Sequence, residues 1–405
     1  MSRVSGGRVR ATGPTQQSPV QLRPAESRAH RSEDFHEFRV AALIDTAIVS
    51  GPGRQLAALA DRLSTYGVRL RVYMFQRVGH PLSPFSAYLE RAGIEHVVIS
   101  ETGPFDMSLL SKVGRRLREW KPDIVQTHNY RTTVLAYLLS WGYPDWRWLA
   151  FCHGWTNEDW KVRVYNRIDR ALLPRADRLV VMSERHRRQF LRDHPEVTVV
   201  YNAVLQLPEE SDSIDLEQLH LPDRPAIGVI GRLSHEKGVD VLLDAISRLP
   251  AGSVSLLVAG EGPERLALGR QAVELHIESQ VHFLGSVRDV RKLYRQLDAI
   301  VLPSRTEGLP NVLLEAVSED VPVVATRVGA VPEVLTDEAS GCIVEPDDAA
   351  GLATAISLAL ANGRSASARQ ARRETAKRFS LEERVRRHLR LYAELCPDRI
   401  SGTAT

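Results

Sequence analysis

The chain has 405 residues, 53 Lys+Arg against 50 Asp+Glu, a formal charge of +3 and three cysteines. That length exceeds one ordinary core and fits two domains of the usual size, while single cysteines at 152, 342 and 396 argue against a disulfide framework and a Cys-based metal site. No run of about eighteen uncharged apolar residues is present to cross a membrane, and the first residues lack the apolar stretch of a secretion signal, so a cytoplasmic location is expected.

Residues 1–35 are rich in Ser, Gly, Pro, Gln and Arg without hydrophobic periodicity and read as a disordered tail. From Phe38 short β-branched runs alternate with helical stretches: F-R-V-A-A-L-I, R-L-R-V-Y-M-F, H-V-V-I-S, D-I-V-Q-T-H, W-L-A-F-C-H, R-L-V-V-M-S and V-T-V-V-Y-N. That alternation predicts a parallel sheet, one α/β domain over residues 36–206. After its first strand, S-G-P-G-R-Q at 50–55 lets Gly51 and Gly53 bring backbone amides close to a phosphate or an acceptor, with Arg54 a further contact candidate; a plain tight turn competes. Leu56 stands where a dinucleotide fingerprint needs its third glycine, which disfavours an NAD-dependent enzyme.

The segment 109–120 places Leu109, Leu110, Val113, Leu117 and Trp120 on one helical stripe and Lys112, Arg115, Arg116 and Arg118 largely elsewhere. It is an ordinary surface helix, or one that docks on anionic lipid. The aromatics Trp141, Tyr143, Trp146 and Trp148 pose the same choice between core and membrane interface. His128 and His153 each end a strand run, at the edge where open α/β sheets bind ligands.

Residues 207–224 turn polar and acidic and mark an interdomain connection. A second domain over 225–378 repeats the alternation with A-I-G-V-I-G, V-S-L-L-V-A-G, V-H-F-L-G, A-I-V-L-P-S, P-V-V-A-T and G-C-I-V-E. In it R-L-S-H-E-K-G follows the first strand, so Arg232 and Lys237 sit on a strand-to-helix loop. Gly260, Glu261 and Gly262 form a second such turn. The run Ala299 to Pro303 is followed by Ser304 and Arg305 and then by E-G-L-P-N-V-L-L-E, in which Gly308, Leu309 and Pro310 open a helix whose free amides form an anion site. At about 1.5 Å per residue, Glu315 lies about two turns inside while Glu307 stays at the lip. Residues 347–396 hold no strand candidate, and 379–405 carry the last helix and a tail.

Charge is unevenly placed. Residues 36–205 carry 24 Lys+Arg against 17 Asp+Glu, and residues 206–405 carry 23 against 30. Since Arg232 and Lys237 lie in the acidic half, the basic surplus of the first half points to an anionic second substrate or surroundings, a phospholipid membrane being one candidate.

With G-R-L-S-H-E-K-G at 231–238, E-G-L-P-N-V-L-L-E-A at 307–316 and V-G-A-V-P-E-V-L at 328–335, the chain resembles the family 4 retaining glycosyltransferases of GT-B fold, over roughly residues 38–395. The resemblance implies two Rossmann-like doubly wound domains facing across a cleft, with a terminal helix over Leu381–Leu395 crossing back to the first. It assigns Arg232 and Lys237 to the donor diphosphate, Glu307 to the donor hexose and Glu315 to the nucleotide ribose. His153 would contact the sugar near the reacting carbon, with His128 as its rival, and Gly260, Glu261, Ser304, Arg305 and the 308–311 turn through Asn311 would lie near the nucleotide. Tyr201-Asn202-Ala203-Val204 departs from the family's usual Asn-Gly, which puts the local turn in doubt, and Glu333 reads as a helix-start residue in a supporting role.

The expected activity is transfer of a hexose from a UDP- or GDP-linked donor to a lipid-linked or oligosaccharide acceptor, with retention and without a further cofactor. No D-x-D pair or histidine ligand spacing calls for a metal, and no nucleic acid is implied. Two rivals share the architecture: a nucleotide-sugar 2-epimerase or hydrolase, which needs no acceptor, and a non-catalytic partner subunit.

Overall fold

Uninterrupted aliphatic runs fold as strands covered on both faces, the signature of parallel sheets. Among the described residues, seven make the first sheet: β1 (Phe38–Leu43), β2 (Val68–Arg77), β3 (His96–Glu101), β4 (Ile124–Thr127), β5 (Arg147–Cys152), β6 (Arg178–Val181) and β7 (Val197–Val199). Six make the second: β8 (Ala226–Ile230), β9 (Ser255–Ala259), β10 (Val281–Gly285), β11 (Ala299–Leu302), β12 (Val323–Thr326) and β13 (Cys342–Val344). The computed structural model describes residues 38–103, 106–142, 145–154, 160–190, 196–205, 224–287, 290–336 and 339–399. The tail over 1–35 and nearly all of the connection over 207–224 lie outside the described residues.

Both sheets are parallel throughout, in the orders β3-β2-β1-β4-β5-β6-β7 and β10-β9-β8-β11-β12-β13. Each order reverses direction once, between β1 and β4 and between β8 and β11. Crossovers leave to opposite sides there and open a crevice above the carboxyl ends of the strands. The expected pair of doubly wound domains is what the chain forms.

One apolar core runs through both domains: Phe38, Leu56 and Leu59 belong to the same buried cluster as Leu313, Leu314 and Val334, joined by Phe379, Leu389 and Tyr392. The last residues supply the link. Three helices, Ala349–Asn362, Ala366–Arg378 and Leu381–Leu395, follow one another without a strand. Ser380 caps the third by accepting from the Glu383 amide, and Glu382 and Glu383 complement the positive end of its dipole. This helix lies on the first sheet: Tyr392 stacks on Phe38 at 5.7 Å, His388 on Phe151 at 5.8 Å, and Gln126 donates to the Tyr392 hydroxyl.

Among the helices of the first domain, Ser108–Trp120 spends its apolar stripe on the core, burying Leu109, Val113, Leu117 and Trp120. Trp146 and Trp148 are core residues as well, Trp141 is exposed, and Tyr143 lies outside the described residues. All three cysteines are free; Cys152 is buried, whereas Cys342 and Cys396 are half-buried.

Candidate active site

The loop after β8 and the loop after β11 meet at the switch point of the second sheet. They form a crevice lined by Gly231, Arg232, Lys237, Ser304, Glu307 and Pro310. Lys237 Nζ lies 2.5 Å from Glu307 Oε1, and Ser304 Oγ donates to the same oxygen at 2.9 Å. The two groups expected on different parts of one donor therefore hold each other here. Pro310 starts the helix Asn311–Ser318 with no side-chain cap and no acidic residue in the first turn, which leaves its positive end for an anion.

Gly260 and Glu261 brace this crevice from behind. Gly260 has φ +141 and a Cβ there would come within 1.8 Å of the Gly231 oxygen, while the Glu261 carbonyl accepts from Leu233 N at 2.9 Å. The V-G-A-V segment supports the other loop, Ala330 N donating to Gly308 O at 2.8 Å. Arg305 faces away from this work: its guanidinium is bonded to Asp240, Asp347 and the His235 carbonyl.

Glu315 is buried. Tyr294 Oη donates to its Oε2 at 2.9 Å, and Arg54 of the first domain pairs with its Oε1 at 3.0 Å. Burial and the adjacent carboxylate push the Tyr294 phenol well above its usual range, so it stays a donor. The sequence offered no sign of Tyr294, which sits among Leu293 and Arg295 as one more core aromatic.

His153 follows β5 and faces the Glu307 loop from the first domain. A Cβ on Gly308 would lie 2.5 Å from the His153 carbonyl oxygen, so the close approach of the two domains requires glycine at 308. His128, its rival, is its partner: His128 Nδ1 and His153 Nε2 are 3.2 Å apart. Burial pushes the His128 imidazole well below its usual range; burial and the charge of Arg384 push His153 down to about 4. Both rings are neutral near pH 7, so one nitrogen of the pair donates and the other accepts.

The glycines of the 50–55 turn divide. Gly53 N donates to Ser50 Oγ at 3.2 Å and a Cβ on it would meet the Phe85 ring at 2.8 Å, whereas a Cβ on Gly51 would meet the Asn311 amide across the cleft at 2.3 Å. Gln55 beside them is an interdomain clamp. Its Nε2 donates to Ala203 O at 2.7 Å and Asn311 Oδ1 at 3.1 Å; its Oε1 accepts from Ala203 N at 2.9 Å and from buried Arg384 at 2.6 Å. Asn202 completes the seam by accepting from Arg384 and donating to Leu309 O. Glu333, at the start of the helix Val331–Val334, is a second clamp: it accepts from Glu184 N at 3.0 Å and Tyr201 Oη at 2.6 Å. On the far side of Glu307 lies a cavity of about 300 Å³ between the domains, lined by Arg185, His186 and Gln189 on one side and Thr306, Glu307 and Arg327 on the other.

The fold has known counterparts. Among solved structures, HepE of Anabaena in complex with UDP superposes with a TM-score of 0.74 at 21% identity, covering 88% of this chain and 100% of that one. Sucrose-phosphate synthase of Thermosynechococcus elongatus gives a TM-score of 0.74 at 20% identity, over 89% of this chain and 100% of its own. At such identity the likeness is one of fold.

Curated relatives are closer but partial. The lipopolysaccharide core biosynthesis glycosyltransferase LpsE of Rhizobium meliloti is 35% identical over 145 residues, 36% of this chain and 42% of that protein. The GDP-mannose-dependent alpha-(1-6)-phosphatidylinositol monomannoside mannosyltransferase of Mycolicibacterium smegmatis is 33% identical over 163 residues, 38% and 43%. The chain spans about half the length of the curated relatives it matches. Residues 49–204 match the family described as Glycosyltransferase Family 4, and residues 224–362 match the one described as Glycosyl transferases group 1, more than half of the chain between them. With one family on each sheet and both motif loops at the switch point, the chain belongs to the family 4, group 1 glycosyltransferases.

Proposed function

We propose that this chain transfers a hexose from a UDP- or GDP-linked donor to an acceptor hydroxyl, with retention, in polysaccharide or glycolipid synthesis. One observation carries the reading: Arg232, Lys237, Glu307 and an uncapped helix start converge on the β8/β11 crevice, with Glu315 about one turn along that same helix rather than the two expected from a start at Gly308. Two cations and a helix dipole are what a departing diphosphate needs, since charge develops there as the glycosidic bond breaks. Glu307 holds hydroxyls of the sugar, Glu315 the ribose. His153, neutral, faces the sugar from the other domain. No cofactor and no metal is part of this reading; the sugar nucleotide is a co-substrate.

The acceptor, lipid-linked or an oligosaccharide, enters from the first domain toward the cavity beside Glu307. The names of LpsE, a lipopolysaccharide core biosynthesis glycosyltransferase, and of the mycolicibacterial phosphatidylinositol monomannoside mannosyltransferase favour a glycolipid. No helix among the described residues is long and apolar enough to cross a membrane. A peripheral contact with anionic lipid at the inner membrane face would use a surface other than the 109–120 helix, whose apolar side is buried. The helix Tyr130–Ser140 leaves Tyr130, Leu138 and, just past its end, Trp141, 75% exposed, on its solvent side. Beside it the helix Trp160–Leu172 shows Val164 and Ile168 with Arg163 and Arg167, an apolar strip with a cationic edge.

The test is transfer from labelled UDP- and GDP-hexoses to a panel of lipid and oligosaccharide acceptors, with Lys237→Ala and Arg232→Ala alongside. Each variant should lose about 10²–10³-fold in turnover. Near-normal activity in either removes the diphosphate assignment, and rapid conversion of donor without acceptor makes the protein an epimerase or hydrolase.

A further inference from the structure

Arg54 occupies a carboxylate that the proposed donor needs. Its Nη2 lies 3.0 Å from Glu315 Oε1, Tyr294 takes Oε2, and Glu315 is left 5% exposed. A ribose diol arriving at that carboxylate meets it covered. Arg54 keeps 28% of its side chain in solvent, so it can swing outward. Its backbone cannot follow, because Gln55, the next residue, is bonded to Ala203, Asn311 and Arg384, and Gly51 abuts Asn311. The moving part is one side chain on a fixed helix.

We infer that Arg54 is a latch on Glu315: an arginine of the acceptor domain that covers the carboxylate and yields it to the ribose of an incoming nucleoside diphosphate. The inference rests on the ribose role proposed above for Glu315. A site that must open before it binds loses affinity by the fraction of time it is open. A latch closed about nine tenths of the time therefore weakens nucleotide binding about tenfold.

Isothermal titration of the full chain with UDP and GDP tests this in the wild type, Arg54→Ala, Arg54→Lys, Glu315→Gln and the Arg54→Ala/Glu315→Gln double variant. Arg54→Ala should bind the preferred nucleotide about tenfold more tightly, with Arg54→Lys in between. The gain should vanish for the 2′,3′-dideoxy form of that nucleotide and in the Glu315→Gln background. Binding that is unchanged or weaker in Arg54→Ala overturns the latch, and so does an equal gain with the dideoxy nucleotide. Failure of wild type and Arg54→Ala alike to bind either nucleotide overturns the donor-site reading and the latch with it. Binding that is lost in Glu315→Gln yet indifferent to Arg54→Ala overturns the latch alone.

Discussion

His388 lies on the inner side of the last helix, fully buried, stacked on Phe151, with Nδ1 donating to the Arg384 carbonyl at 2.8 Å and Nε2 without a hydrogen-bond partner. Burial, reinforced by the charge of Arg384, pushes its pKa down to about 3, and the same two causes take His153 to about 4. The unfolded chain protonates both rings near 6.5. Above that pH their contribution to stability is fully present; as pH falls from 6.5 toward 4 and 3 it is lost, because protons bind the unfolded chain first.

At pH 5, about 1.5 units below the unfolded value, each ring has forfeited about 2 kcal/mol at 1.36 kcal/mol per unit. Together they remove about 4 kcal/mol, a large share of a typical 5–15 kcal/mol stability. His128, lowered by burial and its histidine neighbour, adds in the same direction. Replacing His388 by Phe keeps the stack on Phe151 and deletes one proton site. Urea denaturation followed by tryptophan fluorescence at pH 7.5, 6.5, 5.5 and 5.0 should then show the acid-side loss reduced by about 2 kcal/mol in His388→Phe. Parallel losses in variant and wild type, or a wild type whose stability is flat down to pH 5, would refute the picture of neutral imidazoles sealed under the crossing helix.

Two further predictions concern the cleft and the outer face. Gly308→Ala puts a methyl 2.5 Å from a backbone oxygen that no rotamer change can move, so it should cost about 1–3 kcal/mol and depress transfer more than melting temperature; wild-type stability and activity would show that the domains do not close on His153. Leu138→Glu/Trp141→Glu should abolish co-sedimentation with vesicles containing phosphatidylglycerol while leaving UDP or GDP binding intact. A wild type that ignores such vesicles, or a variant that binds them equally well, removes that face from the membrane reading.

The strands of the described residues, their grouping into two parallel sheets and the loops that carry Arg232, Lys237, Glu307 and His153 were all legible in the chain, because burial on both faces imposes aliphatic runs and strand ends demand glycine and polar residues locally. The partners of those residues were not. Lys237 meets Glu307 across 70 residues, and Arg54 meets Glu315 across 261; both distances are set by which strands lie adjacent, a fact no local pattern encodes. His128 and His153 read as competitors for one role and prove to be bonded to each other, since β4 and β5 are neighbours. The helix 109–120 read as an ordinary surface helix or as a lipid-docking one, and its apolar stripe fills the core as the first reading has it, whereas the evenly apolar helix at 130–140 keeps Tyr130 and Leu138 in solvent. Periodicity tells which side of an element is apolar; what covers that side is decided only when the other elements are packed against it.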